Sequence, residues 1–307
     1  MQNNNIVDVI SLGTPCSRAE IQAIKNFLTL HNLRANIFLE EQTTIANKLN
    51  HEFPIIDPKY RFMQLIQALE NPNSQIIWCS RGGYGSAEVV DYLYSINRPN
   101  LNKIFIGFSD ISSINIFLEK NWQYPTITAP TLIQCAYEMV SVESIAEILS
   151  VVKGNKNFVT YQLTNLSNFE FGEISGILTG GCISVLTGNF ATKNQIDWHN
   201  KILFLEDEGE DGERLDRYFH QISTIIKETH NKPIAIILGN FLQSNPHGSP
   251  KADNIEIAIA RFVHKLVDIP IFQDKNFYLG HSFEMKPISI GLVAKINKEN
   301  IFNQRLF

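Results

Sequence analysis

Apolar runs and helical patterns alternate along the first half of the chain. Each short apolar run, typical of a strand, precedes a segment in which apolar residues recur every three or four positions. The strand and helix pairs predicted in this way are residues 6–12 and 17–30, 35–39 and 60–69, 76–79 and 86–93, and 103–108 and 111–119. Such alternation predicts an α/β domain with a mostly parallel sheet and helices on both faces. Functional residues of such sheets lie at the carboxyl ends of strands.

The pattern dissolves over residues 154–171, where Asn, Lys, Ser and Thr dominate, so we predict a linker there. It separates an N-terminal domain of residues 1–153 from a C-terminal domain of residues 172–307, and two domains are expected at this length. The C-terminal half begins with a glycine turn at 176–181. Strands are predicted at 201–205 and 233–238, helices at 214–227 and 254–267, and a final strand-rich stretch over 277–296. This mixture predicts a β-rich α/β domain.

The composition is that of a globular protein, with 44% hydrophobic and 19% charged residues. A net charge of -5 without a basic run argues against a nucleic-acid partner. The N-terminus lacks a basic and apolar leader pattern, and no stretch of about 18 uncharged apolar residues occurs. We therefore expect a cytoplasmic, soluble protein with no membrane partner.

Metal and disulfide motifs are missing from the sequence. The four cysteines are scattered without a CxxC pair, and the eight histidines include no HExxH motif. We therefore predict reduced thiols, no metal site and no cofactor.

The segment Gly-Phe-Ser-Asp-Ile at 107–111 passes directly from an apolar strand into a helical pattern. This places Ser109 on a strand-to-helix turn, where a nucleophilic hydroxyl is exposed and the backbone N–H of Asp110 faces a developing oxyanion. Gly107 provides the space that such a turn needs. Because the second glycine of the GxSxG motif is missing, the alternative that Ser109 or Asp110 caps the following helix stays open.

A second glycine-rich turn, Ser-Arg-Gly-Gly-Tyr-Gly at 80–85, also connects an apolar strand to a helix. Backbone N–H groups at such a helix start bind anions, but the patterns of the common phosphate loops are missing. Two interpretations remain. The turn forms an oxyanion hole, with the N–H of Gly83 opposite that of Asp110, or it is a tight turn that needs a positive φ.

Acidic residues follow the strand at 201–205, in the order Glu-Asp-Glu-Gly-Glu. Glu206 comes first, so it is best placed at the strand's end to orient a histidine, with Glu210 and Glu213 as alternatives. A solvated charge run is the structural alternative. Among the histidines, His281 stands out because it follows an apolar run and a glycine; a structural role in a loop is the alternative.

Taken together, these segments resemble the LD-carboxypeptidase family of serine peptidases, which includes murein tetrapeptide carboxypeptidases and microcin C self-immunity peptidases. The resemblance covers nearly the whole chain in the family's order. Its motifs are Ser-Arg-Gly-Gly-Tyr-Gly at 80–85, Gly-Phe-Ser-Asp at 107–110, Gly-Gly at 180–181, Ile-Leu-Phe-Leu-Glu-Asp at 202–207, Leu-Asp-Arg at 215–217 and Gly-His at 280–281. The chain departs from the family at 126–130, where Thr-Ile-Thr-Ala-Pro replaces a His-Gly-Pro-like turn.

The resemblance implies a role for each candidate residue. These roles are the nucleophile for Ser109, the carboxylate of the triad for Glu206, the general base for His281, and the oxyanion hole for the backbone N–H groups of Gly83 and Asp110. The triad is then assembled across the domain interface. Arg81, which flanks the oxyanion loop, and Tyr84 are candidate substrate contacts, with a structural ion pair as the alternative role of Arg81.

The activity that the resemblance implies is that of a serine LD-carboxypeptidase. The enzyme would release the terminal D-alanine from cytoplasmic murein tetrapeptides, as a muramoyltetrapeptide carboxypeptidase does in cell-wall recycling, and would form a homodimer. One alternative is a self-immunity peptidase that cleaves aminoacyl-nucleotide antibiotics of the microcin C type. Two others are a non-catalytic ligand-binding protein on the same fold and a nucleotide-binding enzyme.

Overall fold

The structure is a computed structural model. It describes residues 5–38, 57–100, 103–167, 170–229, 231–242 and 252–307. The chain divides into two compact units, Met1–Lys156 and Asn157–Phe307. No helix in these ranges combines the length and the apolar character needed to cross a membrane.

Five strands of the N-terminal unit form a parallel sheet in the order β5-β4-β3-β1-β2. The strands are β1 (Ile6–Ile10), β2 (Arg34–Ile37), β3 (Ile76–Cys79), β4 (Ile104–Ile106) and β5 (Thr126–Thr128). The helices are α1 (Arg18–Leu30), α2 (Pro58–Glu70), α3 (Ser86–Leu93), α4 (Ser112–Trp122), α5 (Leu132–Ala136) and α6 (Val142–Val152). The predicted α/β fold with a mostly parallel sheet is therefore confirmed, although residue 39 of the second predicted strand lies outside the described residues.

Local sequence explains where the first helix begins and which face it buries. Ser17 and Glu20 form a capping box, in which each side chain accepts a hydrogen bond from the other residue's backbone N–H. Ile21, Ile24 and Leu28 then recur on one side of α1 and are buried.

Alternation along β3 shows how the two faces of the sheet are covered. Ile77 and Cys79 belong to an apolar cluster that also contains residues of α2, α3 and α4. Trp78 points to the opposite face, where its ring meets Phe27 of α1 with centroids 6.4 Å apart. Burial on both faces is the reason why these strands are continuously apolar.

The strands of the C-terminal unit form a closed barrel in the order β10-β6-β13-β12-β7-β8-β9. These strands are β6 (Phe158–Asn165), β7 (Ile174–Cys182), β8 (Ile202–Glu208), β9 (Ala235–Leu242), β10 (Ile271–Asp274), β12 (Val293–Ile296) and β13 (Ile301–Arg305), and a short β11 (Ile288–Ile290) precedes β12. The unit is thus β-rich, as predicted.

In the described ranges, the helices of this unit lie in the connections between parallel strands of the barrel. The pairs β7–β8, β8–β9 and β9–β10 are parallel, and the connections between them contain α7 (Ile183–Gly188), α8 (Gly212–Glu228) and α9 (Ala252–Lys265). The remaining pairs are antiparallel. Helices α8 and α9 pack through the stacked rings of Phe219 and Phe262, whose centroids are 4.3 Å apart. Parallel neighbours need such crossovers, whereas antiparallel neighbours do not.

Two sequence predictions are wrong in this unit. The stretch 154–171 was predicted as a linker, yet β6 occupies Phe158–Asn165. Its buried residues Val159, Tyr161 and Leu163 follow the period of two that marks a half-buried strand. The predicted strands over 277–296 begin only at Ile288, because residues 275–287 form a loop, the first part of which is held by side-chain hydrogen bonds described below.

Candidate active site

Three loops of the N-terminal unit meet at the carboxyl ends of β1, β3 and β4. The N–H of Thr14, after β1, donates to the carbonyl of Gly82, after β3, at 3.0 Å. The N–H of Tyr84 donates to Oγ1 of Thr14 at 3.1 Å. The third loop carries Ser109, and Gly82 lies directly against it, since a Cβ on Gly82 would come within 2.8 Å of Cβ of Ser109. Sequence reasoning missed both Thr14 and the close approach at Gly82.

Ser109 begins a single 3-10 turn over Ser109–Ile111 and has a φ of +64°. Positive φ is uncommon outside glycine and costs about 1 kcal/mol or more, so it marks a strained turn. Gly107 permits the end of β4 to lie close against this turn, because a Cβ there would lie 2.4 Å from Cγ2 of Ile111, the last residue of the turn. A strained strand-to-helix turn is the geometry of a nucleophile elbow.

The carboxylate of Asp110 connects this turn to the neighbouring helix. Its Oδ2 accepts a hydrogen bond from the N–H of Ser86, the first residue of α3, at 2.8 Å, and the Ser86 hydroxyl donates to the Asp110 carbonyl. Burial raises the pKa of Asp110, and the bonds from Ser86 oppose that effect only in part. The N-cap positions of the turn and of α4 belong to Phe108 and Ile111. The alternative that Ser109 or Asp110 caps the helix that follows is therefore wrong.

Gly83 occupies a position in the second loop that requires glycine. Its φ is +95°, and a Cβ there would lie 2.2 Å from Oγ1 of Thr14. Gly85, at the N-cap of α3, has a φ of +109°. The interpretation as a tight turn that needs a positive φ is thus confirmed, and the oxyanion-binding role of the Gly83 N–H stays a prediction.

Arg81 and Tyr84 differ in their surroundings. Nη1 of Arg81 lies 3.0 Å from Oε1 of Glu20 in a half-exposed ion pair, which is the structural alternative foreseen for this residue. Tyr84 is 57% exposed. The substrate contacts predicted for both residues stay predictions.

In the C-terminal unit, Glu206 and His281 form a buried pair. Oε2 of Glu206 lies 2.7 Å from Nδ1 of His281 and also accepts the backbone N–H of His281 at 3.0 Å. The two residues are 1% and 7% exposed. Of the acidic residues in this stretch, Glu206 holds the histidine, whereas Glu210 lies 3.5 Å from Arg214.

The carboxylate determines both the tautomer and the charge of the imidazole. A hydrogen bond to a carboxylate keeps the proton on Nδ1, so the neutral ring offers Nε2 as the base. Burial alone would disfavour the charged ring. The carboxylate of Glu206, with further contributions from Glu208 and Asp207, outweighs burial and raises the pKa of His281 above its ordinary value of 6.5.

Two glycines make room for this pair. A Cβ on Gly280, whose φ is +92°, would lie 2.6 Å from Cβ of Glu206. A Cβ on Gly239, in β9, would lie 2.5 Å from the carbonyl of Leu279 and 3.1 Å from Cβ of Glu206. The sequence reasoning singled out Gly280 but missed Gly239, because that glycine lies inside a strand far from His281 in the chain.

A buried carboxylate also shapes the loop that leads to His281. Oδ2 of Asp274, at the end of β10, accepts the N–H groups of Tyr278 and Leu279, the latter at 2.7 Å. The side chain of Asn240 donates to the carbonyl of Phe277 at 2.7 Å. These bonds take the backbone groups that a strand would use, which explains why residues 277–279 form no strand.

Asp207, the neighbour of Glu206 on β8, has a structural partner. Asp207 accepts the N–H of Ser184 in α7 at 2.8 Å, and burial, followed by repulsion from Glu206, raises its pKa. None of the four cysteines forms a disulfide, and all four are buried. Within the described ranges, no group of three or more His, Cys, Asp or Glu side chains is arranged to hold a metal ion.

A serine on a strained turn and a histidine held by a buried carboxylate are the groups that hydrolases acting by acyl transfer use. Models of two known domains match this chain, the LD-carboxypeptidase N-terminal domain over residues 7–129 and the LD-carboxypeptidase C-terminal domain over residues 175–296. The chain therefore belongs to the LD-carboxypeptidase family, peptidase family S66. The resemblance inferred from its motifs is confirmed.

Relatives in several bacteria share most of their length with this chain. A Rickettsia conorii protein that carries the name of a carboxypeptidase is 28% identical over 95% of this chain and 89% of its own. A Bacillus subtilis protein that carries the name of a murein peptide carboxypeptidase is 24% identical over 86% of this chain and 83% of its own.

Solved structures show the same fold. A MccF-like protein of Bacillus anthracis has a TM-score of 0.79 at 21% identity and covers 100% of this chain and 98% of its own. Muramoyltetrapeptide carboxypeptidase of Oxalobacter formigenes has a TM-score of 0.77 at 18% identity and covers 97% of each chain.

Proposed function

We propose that this protein is a serine carboxypeptidase that releases the terminal D-alanine of murein tetrapeptides in the cytoplasm by hydrolysing an L,D peptide bond. The observation that carries the proposal is the buried pair of Glu206 and His281, because a histidine oriented by a carboxylate is the base that activates a serine. The names of two relatives, a murein peptide and a muramoyltetrapeptide carboxypeptidase, support the substrate class.

In the proposed reaction, the hydroxyl of Ser109 attacks the scissile carbonyl carbon while Nε2 of His281 takes its proton. The N–H groups of Gly83 and Asp110 bind the oxyanion of the tetrahedral intermediate. The imidazolium then donates its proton to the departing amine of D-alanine, which leaves an ester on Ser109. The same imidazole deprotonates a water molecule that hydrolyses the ester and restores the hydroxyl.

Replacing the nucleophile tests this proposal directly. We expect Ser109→Ala to lower kcat/KM for D-alanine release from a tetrapeptide by roughly four orders of magnitude or more, because no other group forms the ester. Alanine is smaller and equally compatible with burial, so the thermal unfolding midpoint should change little. Ser95→Ala, in which an exposed hydroxyl is lost, is the matched control. A loss of only about tenfold in Ser109→Ala would exclude the mechanism.

The second candidate substrate is an aminoacyl nucleotide. The observation that favours it is the likeness in fold to the microcin C7 self-immunity protein, including a structure in complex with aspartyl sulfamoyl adenosine. Parallel assays of a murein tetrapeptide and an aspartyl-adenylate analogue with a cleavable bond would distinguish the two. A kcat/KM at least a hundredfold higher for the adenylate analogue would replace the murein assignment while retaining the serine mechanism.

A further inference from the structure

A second carboxylate lies beside the histidine, on the side away from Glu206. Oε2 of Glu208 is 3.5 Å from Nε2 of His281, whereas Glu206 contacts Nδ1 at 2.7 Å. The two glutamates differ in environment, since the side chain of Glu206 is 1% exposed and that of Glu208 is 56% exposed. The imidazole is therefore flanked by a buried carboxylate and a solvated one.

The pleat of β8 explains this arrangement. Residues two apart on a strand point to the same side, so Glu206 and Glu208 both face the histidine. Asp207 points the other way and accepts the N–H of Ser184 at 2.8 Å. Glu208 is thus placed by the same strand that places Glu206, although the mechanism above assigns it no role.

The position matters because Nε2 is the nitrogen that must take the proton of the serine. A carboxylate near Nε2 stabilises the doubly protonated ring, in which both nitrogens donate. The carboxylates that raise the pKa of the ring include Glu206, Glu208 and Asp207, all on β8. Of the three, Glu208 alone reaches the Nε2 side in these contacts.

We propose that Glu208 is a positioning residue that acts through His281: its carboxylate beside Nε2 favours the imidazolium, and so raises the pH at which the base becomes available. This inference rests on the proposed serine mechanism for its effect on rate. At low pH the ring is charged and cannot accept the proton of the serine. Activity rises as the ring loses its proton, and Glu208 moves that rise to higher pH. After proton transfer, the same carboxylate stabilises the imidazolium of the tetrahedral intermediate.

Ring titration by NMR tests the inference without any dependence on activity. The C–H signals of His281 are identified by their absence in His281→Asn and followed with pH in the full-length chain. We expect the midpoint of Glu208→Gln to lie below that of the wild type, and that of Glu208→Asp to lie between the two. Glu213→Gln, which removes an exposed carboxylate from the first turn of α8, is the matched control. A midpoint that is unchanged in Glu208→Gln, or higher, would overturn the inference.

The pH profile of kcat/KM supplies the second measurement. In Glu208→Gln the acid limb should move to lower pH, and the plateau should fall by about two- to fivefold, the effect of an exposed ion pair. Added salt screens exposed charges, so high ionic strength should move the wild-type limb toward that of the variant.

If Ser109→Ala retains full activity while the NMR midpoints shift as expected, the serine mechanism is wrong and the contact between Glu208 and His281 is right. If the NMR midpoints are unchanged in Glu208→Gln while Ser109→Ala is inactive, the serine mechanism is right and the inference about Glu208 is wrong.

Discussion

At the scale of single residues, the pair of Glu206 and His281 shows how one carboxylate can determine the chemistry of a ring. Two hydrogen bonds from the same residue, one from its side chain and one from its backbone, converge on Oε2 of Glu206. Because that oxygen is buried, water cannot replace either bond. The orientation and the tautomer of the imidazole depend on this one group, and its charge depends mainly on it.

Replacing Glu206 by glutamine should therefore separate charge from shape. Gln is nearly isosteric but can present an amide donor to Nδ1, which places the ring proton on Nε2 and removes the base. We expect Glu206→Gln to lower kcat by about 10⁴-fold, with the fold retained. Steady-state kinetics and a melting curve measure the two effects. Glu213→Gln is again the control, and a loss below tenfold in a folded Glu206→Gln would argue against the carboxylate's role.

At the scale of elements, the loops after β1, β3 and β4 depend on close backbone approach. Glycines at the contact points allow this approach, since a side chain at Gly82 or Gly83 would overlap a neighbouring loop. A site built on such contacts is sensitive to single methyl groups, because packed interiors leave few voids.

We expect Gly83→Ala to impair both the turn and the reaction. The methyl group would overlap Thr14 Oγ1, and the positive φ adds roughly 1–2 kcal/mol of strain. The turn must shift, which displaces the N–H assigned to the oxyanion, so kcat should fall by about 10²-fold or more. Gly154→Ala is the control, because Gly154 also has a positive φ, of +72°, but has open space around it. Equal kcat in the two variants would contradict the role of Gly83.

At the scale of the whole molecule, each unit has its own means of holding distant segments together. In the N-terminal unit the buried amine of Lys103 lies 3.0 Å from Oδ2 of Asp8 and donates to Oγ of Ser74 at 2.9 Å. It also donates to the carbonyl of Ala68. This ion pair connects the start of β4, the middle of β1 and the end of α2.

Breaking the pair should destabilise the unit strongly. Lys103→Met leaves the carboxylate of Asp8 buried without its cation, and such a loss costs about 3–5 kcal/mol in the free energy of unfolding. Urea denaturation measures it. The double variant Asp8→Asn/Lys103→Met should recover much of the loss, because no buried charge remains. Lys232→Met, which breaks an exposed pair with Asp268, should cost less than about 1 kcal/mol. Equal urea midpoints for Lys103→Met and Lys232→Met would show that Lys103 is not needed for the stability of the unit.

The sequence by itself determined the type and order of four strands and four helices in the N-terminal half, whereas β5, α5 and α6 were not predicted. A period of two or of 3.6 residues reflects burial along one strand or helix, so it can be interpreted without knowing the neighbours. The same local logic indicated Ser109, since a polar residue between an apolar strand and a helical pattern must lie on a turn. Motif order then sufficed for the family, and glycine beside a histidine was enough to single out His281.

Only the tertiary structure decided the partners of these residues. Closure of the C-terminal strands into a barrel, the slot that Gly239 opens for Glu206, and the loop held by Asp274 all join residues far apart in the chain. Backbone hydrogen bonds and close contacts of this kind carry no local period. For the same reason, a run of carboxylates after an apolar strand could not show that Glu206 faces Nδ1 of the imidazole and Glu208 faces Nε2. That distinction depends on the pleat of a strand and on a loop residue 75 positions after Glu206, which only the folded chain brings together.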